Sequence, residues 1–196
     1  MGRLNDDVDM NRKISAVFID RDGVVNRYLR ADYVKRTDEM HLVPGTAAAI
    51  RRLNDARIPV VVISNQQGVG KGVMSATDLE AVNDHMSRLI NEESGGVLNG
   101  GFYCPHLLED GCDCRKPLPG LFLRARDALG LDLAASIMVG DSPTDMKAAL
   151  AAGVPVRALV LSGATRYYRC GRIIPEPDTV CRDLSAAVNW IMEEQK

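Results

Sequence analysis

The sequence lacks the features that mark membrane, secreted and nucleic-acid-binding proteins. Its longest apolar runs are shorter than about ten residues, which is too short to span a bilayer. The formal net charge of −2 provides no basic field for nucleic acid. No basic segment followed by an apolar one opens the chain, so we expect a cytoplasmic protein. Residues 1–13 are mostly polar and predict a flexible tail, and residues 14–196 predict a single domain.

The sequence does not indicate a disulfide framework either. The chain has five cysteines, an odd number that does not favour a set of paired disulfides. Cys170 and Cys181 stand apart, and we interpret them as small buried or half-buried hydrophobic residues. The other three lie near a histidine in the pattern C-x-H, five residues, C-x-C. Four soft ligands of this kind predict a tetrahedral structural Zn²⁺ site, although a redox pair or unrelated thiols are alternatives. The predicted zinc ligands are Cys104, His106, Cys112 and Cys114.

Short apolar runs alternate with longer amphipathic segments along the chain. The apolar runs predict strands at residues 16–19, 59–64, 100–104, 136–140 and 156–161. The amphipathic segments predict helices at residues 44–56, 75–89, 119–129, 144–152 and 184–192. This alternation predicts an α/β fold of the Rossmann-like type, with a parallel sheet and helices on both of its faces. No segment between the motifs is long enough for a large cap domain, and the zinc loop at 104–114 is an insertion.

Carboxylates follow two of the predicted strands. Asp20 and Asp22 come after the first strand, and Asp141 follows the fourth, with Asp145 four residues later. Because the carboxyl ends of parallel strands meet at one edge of a sheet, these carboxylates are expected to converge. They repel one another unless a cation lies among them, and Mg²⁺ suits oxygen ligands. The alternatives are aspartates in ordinary turns and, for Asp145, an acidic first turn that complements a helix dipole.

Three further polar residues lie beside the predicted strand ends. Ser64 and Asn65 end the second strand, where a hydroxyl and an amide can hydrogen-bond a phosphoryl group. Lys116 follows the cysteine loop, and its ammonium group can neutralise charge on phosphoryl oxygens. Together with the carboxylates, they predict a magnesium-dependent site for phosphate chemistry.

In this order the motifs resemble those of the haloacid dehalogenase superfamily of phosphohydrolases. The resemblance implies that Asp20 attacks phosphorus in line and forms an aspartyl-phosphate. It implies that Asp22 protonates the leaving oxygen and then deprotonates the hydrolytic water. Ser64 and Lys116 would bind the transferring phosphoryl group. The Mg²⁺ ligands implied are Asp20, the backbone carbonyl of Asp22, and Asp141, with Asp145 in support.

The zinc loop, followed by Arg115-Lys116-Pro117, resembles the zinc-containing branch of that superfamily. This branch holds D-glycero-D-manno-heptose 1,7-bisphosphate phosphatases and histidinol-phosphate phosphatases. The resemblance implies a small phosphorylated metabolite as the substrate. The preferred candidate is D-glycero-D-manno-heptose 1,7-bisphosphate, from which the enzyme would remove the 7-phosphate. Asn26 and the glycine-rich loop at 68–72 resemble the heptose enzymes, whereas the short zinc spacer resembles the histidinol enzymes. A catalytically silent, zinc-stabilised binding module is the third hypothesis, and retention of the catalytic motifs opposes it.

Two positions depart from the heptose family, which usually has arginine where this chain has Lys71 and often a cation where it has Ser142. A bisphosphate substrate also needs a second anion-binding group. Lys71, Arg115 and the basic stretch 166–172 are the candidates, and a solvated loop is the alternative for that stretch. Asn65, Lys71 and Arg115 are the predicted substrate-binding residues. Neither nucleic acid nor membrane is expected as a partner.

Overall fold

The structure, a computed structural model, describes residues 13–194 of the chain. The predicted flexible tail at 1–13 therefore lies outside the described residues, apart from Lys13. No helix in the described range is long and apolar enough to cross a membrane.

A six-stranded parallel sheet forms the centre of the fold, in the order β3-β2-β1-β4-β5-β6. The strands are β1 (Ala16–Ile19), β2 (Val60–Asn65), β3 (Gly100–Cys104), β4 (Ser136–Gly140), β5 (Val156–Val160) and β6 (Thr179–Cys181). The helices are α1 (Thr46–Asp55), α2 (Ala76–Ser94), α3 (Gly120–Leu129), α4 (Pro143–Ala152) and α5 (Leu184–Glu194). Short 3-10 helices lie at Thr37–Glu39, Leu108–Asp110 and Leu133–Ala135. The chain order reverses between β1 and β4, which is where open parallel sheets bind their ligands.

Helices cover both faces of the sheet, as predicted. Along β1, Val17 and Ile19 pack in a core with residues of α1, α2 and α5. Ala16 and Phe18 point to the opposite face and pack with residues of α3 and α4. The Phe18 and Phe122 ring centroids lie 4.9 Å apart. Because successive side chains of a strand alternate between faces, an apolar run with no polar alternation identifies a strand covered on both sides.

Two of the helices have well-defined capping residues. Ser75 caps α2, and its hydroxyl accepts a hydrogen bond from the Asp78 backbone N–H at 3.0 Å. The Asp78 carboxylate accepts one in return from the Ser75 N–H at 2.8 Å. Pro143 occupies the first turn of α4, where its missing N–H has no cost, and Gly153 ends that helix at a φ of 80°.

β6 was not predicted from the sequence, and three strand ends were misplaced. β6 is a three-residue edge strand of half-exposed and exposed residues, so it has no apolar run to reveal it. β5 ends at Val160 rather than Leu161, and β2 runs from Val60 to Asn65 rather than over residues 59–64. The interpretation of Cys170 as buried or half-buried was wrong, since this residue is exposed on a polar loop. Cys181 is half-buried and packs against the core.

Candidate active site and zinc centre

Three carboxylates converge at the carboxyl end of the two central strands. Asp20 directly follows β1 and Asp141 directly follows β4, while Asp145 lies in the first turn of α4. The three are buried, and each has an oxygen within 4.8 Å of the others. The predicted convergence of these residues is therefore present in the structure.

Asp145 uses its two oxygens for different tasks. One oxygen lies 2.6 Å from the Lys116 Nζ. The other accepts hydrogen bonds from the backbone N–H groups of Asp141 and Ser142, at 3.2 and 3.0 Å, and from the Ser142 hydroxyl at 2.6 Å. Asp145 thus fixes the start of α4 and the lysine side chain relative to each other, beside the carboxylates of Asp20 and Asp141.

Lys116 is held from three sides. Its Nζ lies 3.0 Å from Asp20 Oδ1 and donates to the Ile63 carbonyl at 3.0 Å, in addition to its contact with Asp145. Burial lowers the pKa of Lys116, but Asp145 and Asp20 raise it further, so its pKa lies above its usual value. The ammonium group therefore stays charged beside the predicted nucleophile.

Asn65 has a role that the sequence did not reveal. Its side chain accepts a hydrogen bond from the Lys116 backbone N–H and donates one to the Lys116 carbonyl, both at 2.9 Å. This two-way amide contact joins the end of β2 to the segment after the cysteine loop. Asn65 also lines a cavity of about 500 Å³ whose wall includes Asp20 and Lys116, which we name the catalytic cavity. Asn65 therefore holds the lysine backbone from a position within reach of a ligand.

A buried polar network surrounds Asp22. The Arg21 guanidinium is fully buried and contacts the Asp22 carboxylate at 3.1 Å, while also donating to Gln66 at 2.8 Å and to Asn83 at 3.0 Å. Gln66 and Asn26 donate to Asp22 at 2.7 and 2.9 Å. Burial alone raises the pKa of Asp22, but Arg21, Asn26 and Gln66 together hold it below its usual value. A role for Asp22 was predicted from the sequence, but the network of side chains that surrounds it was not. Its one signal is Asn83, a polar residue in the apolar stripe of α2.

The loop after β5 anchors Asp141, which the sequence analysis also missed. The Ala164 N–H donates to Asp141 Oδ2 at 2.6 Å, and the Thr165 N–H donates to the Asp141 carbonyl at 3.2 Å. A Cβ at Gly163 would lie 1.8 Å from Asp141 Oδ2, and one at Gly23 would lie 2.3 Å from it. Glycine is therefore required at both positions for the two loops to approach this carboxylate.

The charge of the site calls for a cation. Burial raises the pKa of Asp141 to about 8, and Asp145 and Asp20 add to this effect. Burial also raises the pKa of Asp20 to about 6, with Lys116 acting in the opposite direction. Lys116 is the single cation in contact with these three carboxylates among residues 13–194. A divalent cation with a preference for oxygen ligands compensates the remaining charge, so the donor set fits Mg²⁺.

This charge predicts a pH dependence of stability in the magnesium-free protein. A carboxyl group with a raised pKa in the folded state contributes stability that is complete below its unfolded pKa of 3.8. That contribution is lost as the pH rises through about 6 for Asp20 and about 8 for Asp141. Mg²⁺ binds the ionised form, so we expect it to raise Tm more at pH 8 than at pH 6.

Thermal unfolding at both pH values, with and without added Mg²⁺, measures this difference. Asp141→Asn removes the group with the higher pKa and should reduce the difference between the two pH values. An equal Mg²⁺-induced rise in Tm at pH 6 and pH 8 would contradict the interpretation.

The four predicted zinc ligands converge in a second cluster. The Cys104 Sγ lies 3.7 Å from Cys112 Sγ, and the Cys114 Sγ lies 3.6 Å from Cys112 Sγ and 3.3 Å from His106 Nδ1. A tetrahedral ion with Zn–S bonds of about 2.3 Å separates its sulfurs by about 3.7 Å. A disulfide needs about 2.05 Å, so these thiols are not bonded to each other. Burial and the neighbouring thiols raise the pKa of Cys114 to about 12, so ionised sulfurs here require a cation. The donor set and spacing fit Zn²⁺.

Of the other two predicted substrate-binding residues, Lys71 lines the catalytic cavity and Arg115 does not. The Lys71 Nζ lies 5.5 Å from the centre of the Tyr33 ring. The Arg115 guanidinium donates to the His106 carbonyl at 3.2 Å and to Gln67 at 2.9 Å, so it links the zinc loop to the loop after β2.

Known proteins share this arrangement and sequence. The HAD-hydrolase-like family matches residues 113–187. The D-glycero-β-D-manno-heptose-1,7-bisphosphate 7-phosphatase of Bordetella bronchiseptica is 40% identical over 178 residues, which cover 91% of this chain and 98% of that protein. The chain belongs to the heptose-1,7-bisphosphate 7-phosphatase family. The family member from Pseudomonas aeruginosa is 35% identical over 179 residues, covering 91% of this chain and 98% of that protein.

A solved structure of this family agrees with the fold. The D,D-heptose 1,7-bisphosphate phosphatase of B. bronchiseptica, complexed with magnesium and phosphate, superimposes with a TM-score of 0.85. It is 39% identical and covers 92% of this chain and 99% of its own. The predicted superfamily, the parallel α/β fold and membership of a phosphatase family are thereby confirmed.

Proposed function

We propose that this chain is a magnesium-dependent phosphatase that removes the 7-phosphate of D-glycero-D-manno-heptose 1,7-bisphosphate. The observation that carries the proposal is the position of the Asp20 carboxylate. It lies on the wall of the catalytic cavity, 3.0 Å from the Lys116 Nζ and within 4.8 Å of the oxygens of Asp141 and Asp145. The family relatives are phosphatases of that substrate by name.

In the first half of the reaction, an Asp20 oxygen attacks phosphorus and forms an aspartyl-phosphate, while the P–O bond to the sugar breaks. Asp22 gives a proton to the departing sugar oxygen. Arg21, Asn26 and Gln66 favour the ionised form of the Asp22 carboxyl group. The negative charge of an incoming phosphate acts in the opposite direction, because it raises the pKa of Asp22 and so favours the protonated form.

In the second half, Asp22 takes a proton from water, and the water attacks phosphorus so that Asp20 is released with inorganic phosphate. Ser64 is buried beside Asp20, and Lys116 is already in contact with it. Both can donate to the equatorial phosphoryl oxygens. Mg²⁺ would be held by Asp20, Asp141 and the Asp22 backbone carbonyl, and it supplies charge neutralisation of the phosphoryl group.

A structural Zn²⁺ at the four-ligand cluster would order the segment that carries Lys116. Such a site needs reduced thiolates, which supports a cytoplasmic location for the protein.

The test is a comparison of kcat/KM for heptose 1,7-bisphosphate in both anomeric forms, histidinol phosphate and other phosphosugars, with and without Mg²⁺. We expect the heptose bisphosphate to give the highest value. A higher value for histidinol phosphate would replace the proposed substrate. If no phosphate is released from any of these compounds or from an aryl phosphate, the chain is instead a zinc-stabilised binding module.

A further inference from the structure

A second cavity adjoins the catalytic cavity. It has a volume of about 560 Å³ and is lined by the segment after β5, including Arg166, Arg169 and Arg172. We name it the arginine cavity. Ala164 lines both cavities. Pro143 lines the arginine cavity, whereas its neighbours Ser142 and Thr144 line the catalytic one. The two cavities therefore meet at the start of α4.

The three arginines of this cavity are exposed, and no carboxylate in the described part of the chain forms an ion pair with them. Within residues 13–194, the guanidinium groups of Arg166, Arg169 and Arg172 make no hydrogen bond or ion pair with the protein. Elsewhere in the same half of the chain, Arg157 and Arg182 are paired with aspartates at 3.4 and 2.8 Å. An uncompensated group of three guanidinium ions favours a multiply charged anion, and phosphate accepts two parallel hydrogen bonds from each of them.

The carboxylate that contacts this segment is already engaged by other donors. Glu176 accepts hydrogen bonds from the Tyr168 hydroxyl and the Gly171 backbone N–H. Tyr168 also packs against the small core cluster that contains the buried Ile173. These contacts hold the wall of the cavity in place without consuming its positive charge.

The arginine cavity is tied to the catalytic site through Asp141. The Ala164 and Thr165 N–H groups donate to this residue at 2.6 and 3.2 Å. Arg166 comes next in the chain, and two residues span at most about 7 Å. The backbone of Arg166 is thus at most about 7 Å from that of Ala164, which contacts Asp141 directly.

We propose that the arginine cavity binds the phosphate group that the substrate keeps while its other phosphate is transferred at Asp20. This assignment rests on the proposed function, since it requires a substrate with two phosphates. It makes the segment after β5 the part of the chain that distinguishes a bisphosphate from a monophosphate. Lys71 lies in the catalytic cavity among residues of the loops after β1 and β2. It is the alternative binding group for the phosphate that the substrate keeps.

The experiment compares KM for heptose 1,7-bisphosphate with KM for heptose 7-phosphate in the full-length protein. The variants are the double substitution Arg166→Gln with Arg169→Gln, and Arg172→Gln alone. Arg88→Gln is the matched control, because Arg88 is exposed on α2, forms no ion pair with any residue from 13 to 194 and lines neither cavity. We expect the double variant to raise the bisphosphate KM roughly 10-fold to 100-fold more than the monophosphate KM. Arg88→Gln should leave the ratio as in the wild type.

Three results would overturn the assignment. The first is an unchanged ratio of the two KM values in the double variant. The second is a loss of bisphosphate preference in Lys71→Gln but not in the arginine variants, which would place the phosphate on the other side of the catalytic cavity. The third is saturable binding of inorganic phosphate that the double variant abolishes while the bisphosphate KM stays constant, which would identify a separate phosphate ligand.

Failure of the proposed function is visible separately. If the proposed function is wrong, the wild-type protein releases no phosphate from the bisphosphate, and the assignment of the arginine cavity is then wrong as well. Failure of the assignment alone leaves the wild-type enzyme active and changes only the behaviour of the variants.

Discussion

Replacing Asp20 with asparagine is expected to reduce phosphate release by at least about 10⁴-fold. The amide has nearly the shape of the carboxylate but cannot form the phosphoryl bond. Lys116 keeps its contact with Asp145 at 2.6 Å, so the variant should fold with the lysine in place. The loss therefore reports on the chemistry of one oxygen rather than on the collapse of the site.

The measurement is steady-state release of inorganic phosphate from an aryl phosphate and from heptose 1,7-bisphosphate. Mass spectrometry of rapidly quenched wild-type enzyme should find the phosphoryl group on the peptide that contains Asp20, and the variant should show none. Asp38→Asn is a matched control, since Asp38 is an exposed aspartate paired with Arg36 away from the cavity. Activity within tenfold of the wild type in the Asp20 variant would mean that another group is the nucleophile.

Replacing Cys114 with serine is expected to abolish zinc binding and to lower kcat by about 10²-fold. Cys114 is a buried member of the cluster and lies two residues before Lys116. Without the metal, the loop has little apolar material to order it, and a displacement of Lys116 by about 1 Å is enough for such a loss. The unfolding free energy should fall by about 3 kcal/mol or more, because metal binding and folding of the loop are coupled.

Zinc content by elemental analysis, denaturant unfolding and kcat should be measured on the same preparations. Cys170→Ser provides the control, as Cys170 is an exposed thiol outside the cluster, and it should retain zinc and activity. A Cys114 variant that lacks zinc yet keeps full stability and kcat would show that the metal is not needed to position Lys116.

The sequence was sufficient for those features that depend on local patterns. The buried run before Asp20 identifies β1 because strands covered on both faces carry no polar residues. The close spacing of Cys112 and Cys114, with a histidine and a further cysteine nearby, predicts a metal site, and the structure does bring these four side chains together. In each case, the residues that form the pattern are close to one another in the chain. Tertiary structure is needed only to bring the separate motifs together at the edge where the parallel strands end.

The features that escaped prediction depend on pairings between distant segments. Asn65 was assigned to the substrate, yet its amide also clamps the Lys116 backbone, and no local pattern announces a contact over that separation. Arg21 would be expected to reach solvent, but Gln66 and Asn83 supply enough polar partners to keep its guanidinium buried. Such contacts are determined by tertiary packing, and a single sequence contains no direct record of them.

The anchoring of Asp141 by the loop after β5 has a consequence for how this scaffold can diverge. Gly163, Ala164 and Thr165 are fixed by steric contact and backbone hydrogen bonds to Asp141. From Arg166 onward, the loop is not held by these contacts to Asp141. Insertions and substitutions there can therefore change the charge and length of the segment without displacing Asp141. On the proposed assignment of the retained phosphate to the arginine cavity, catalysis and substrate choice depend on adjacent but separable stretches of chain, and specificity can change at the second while the first is kept.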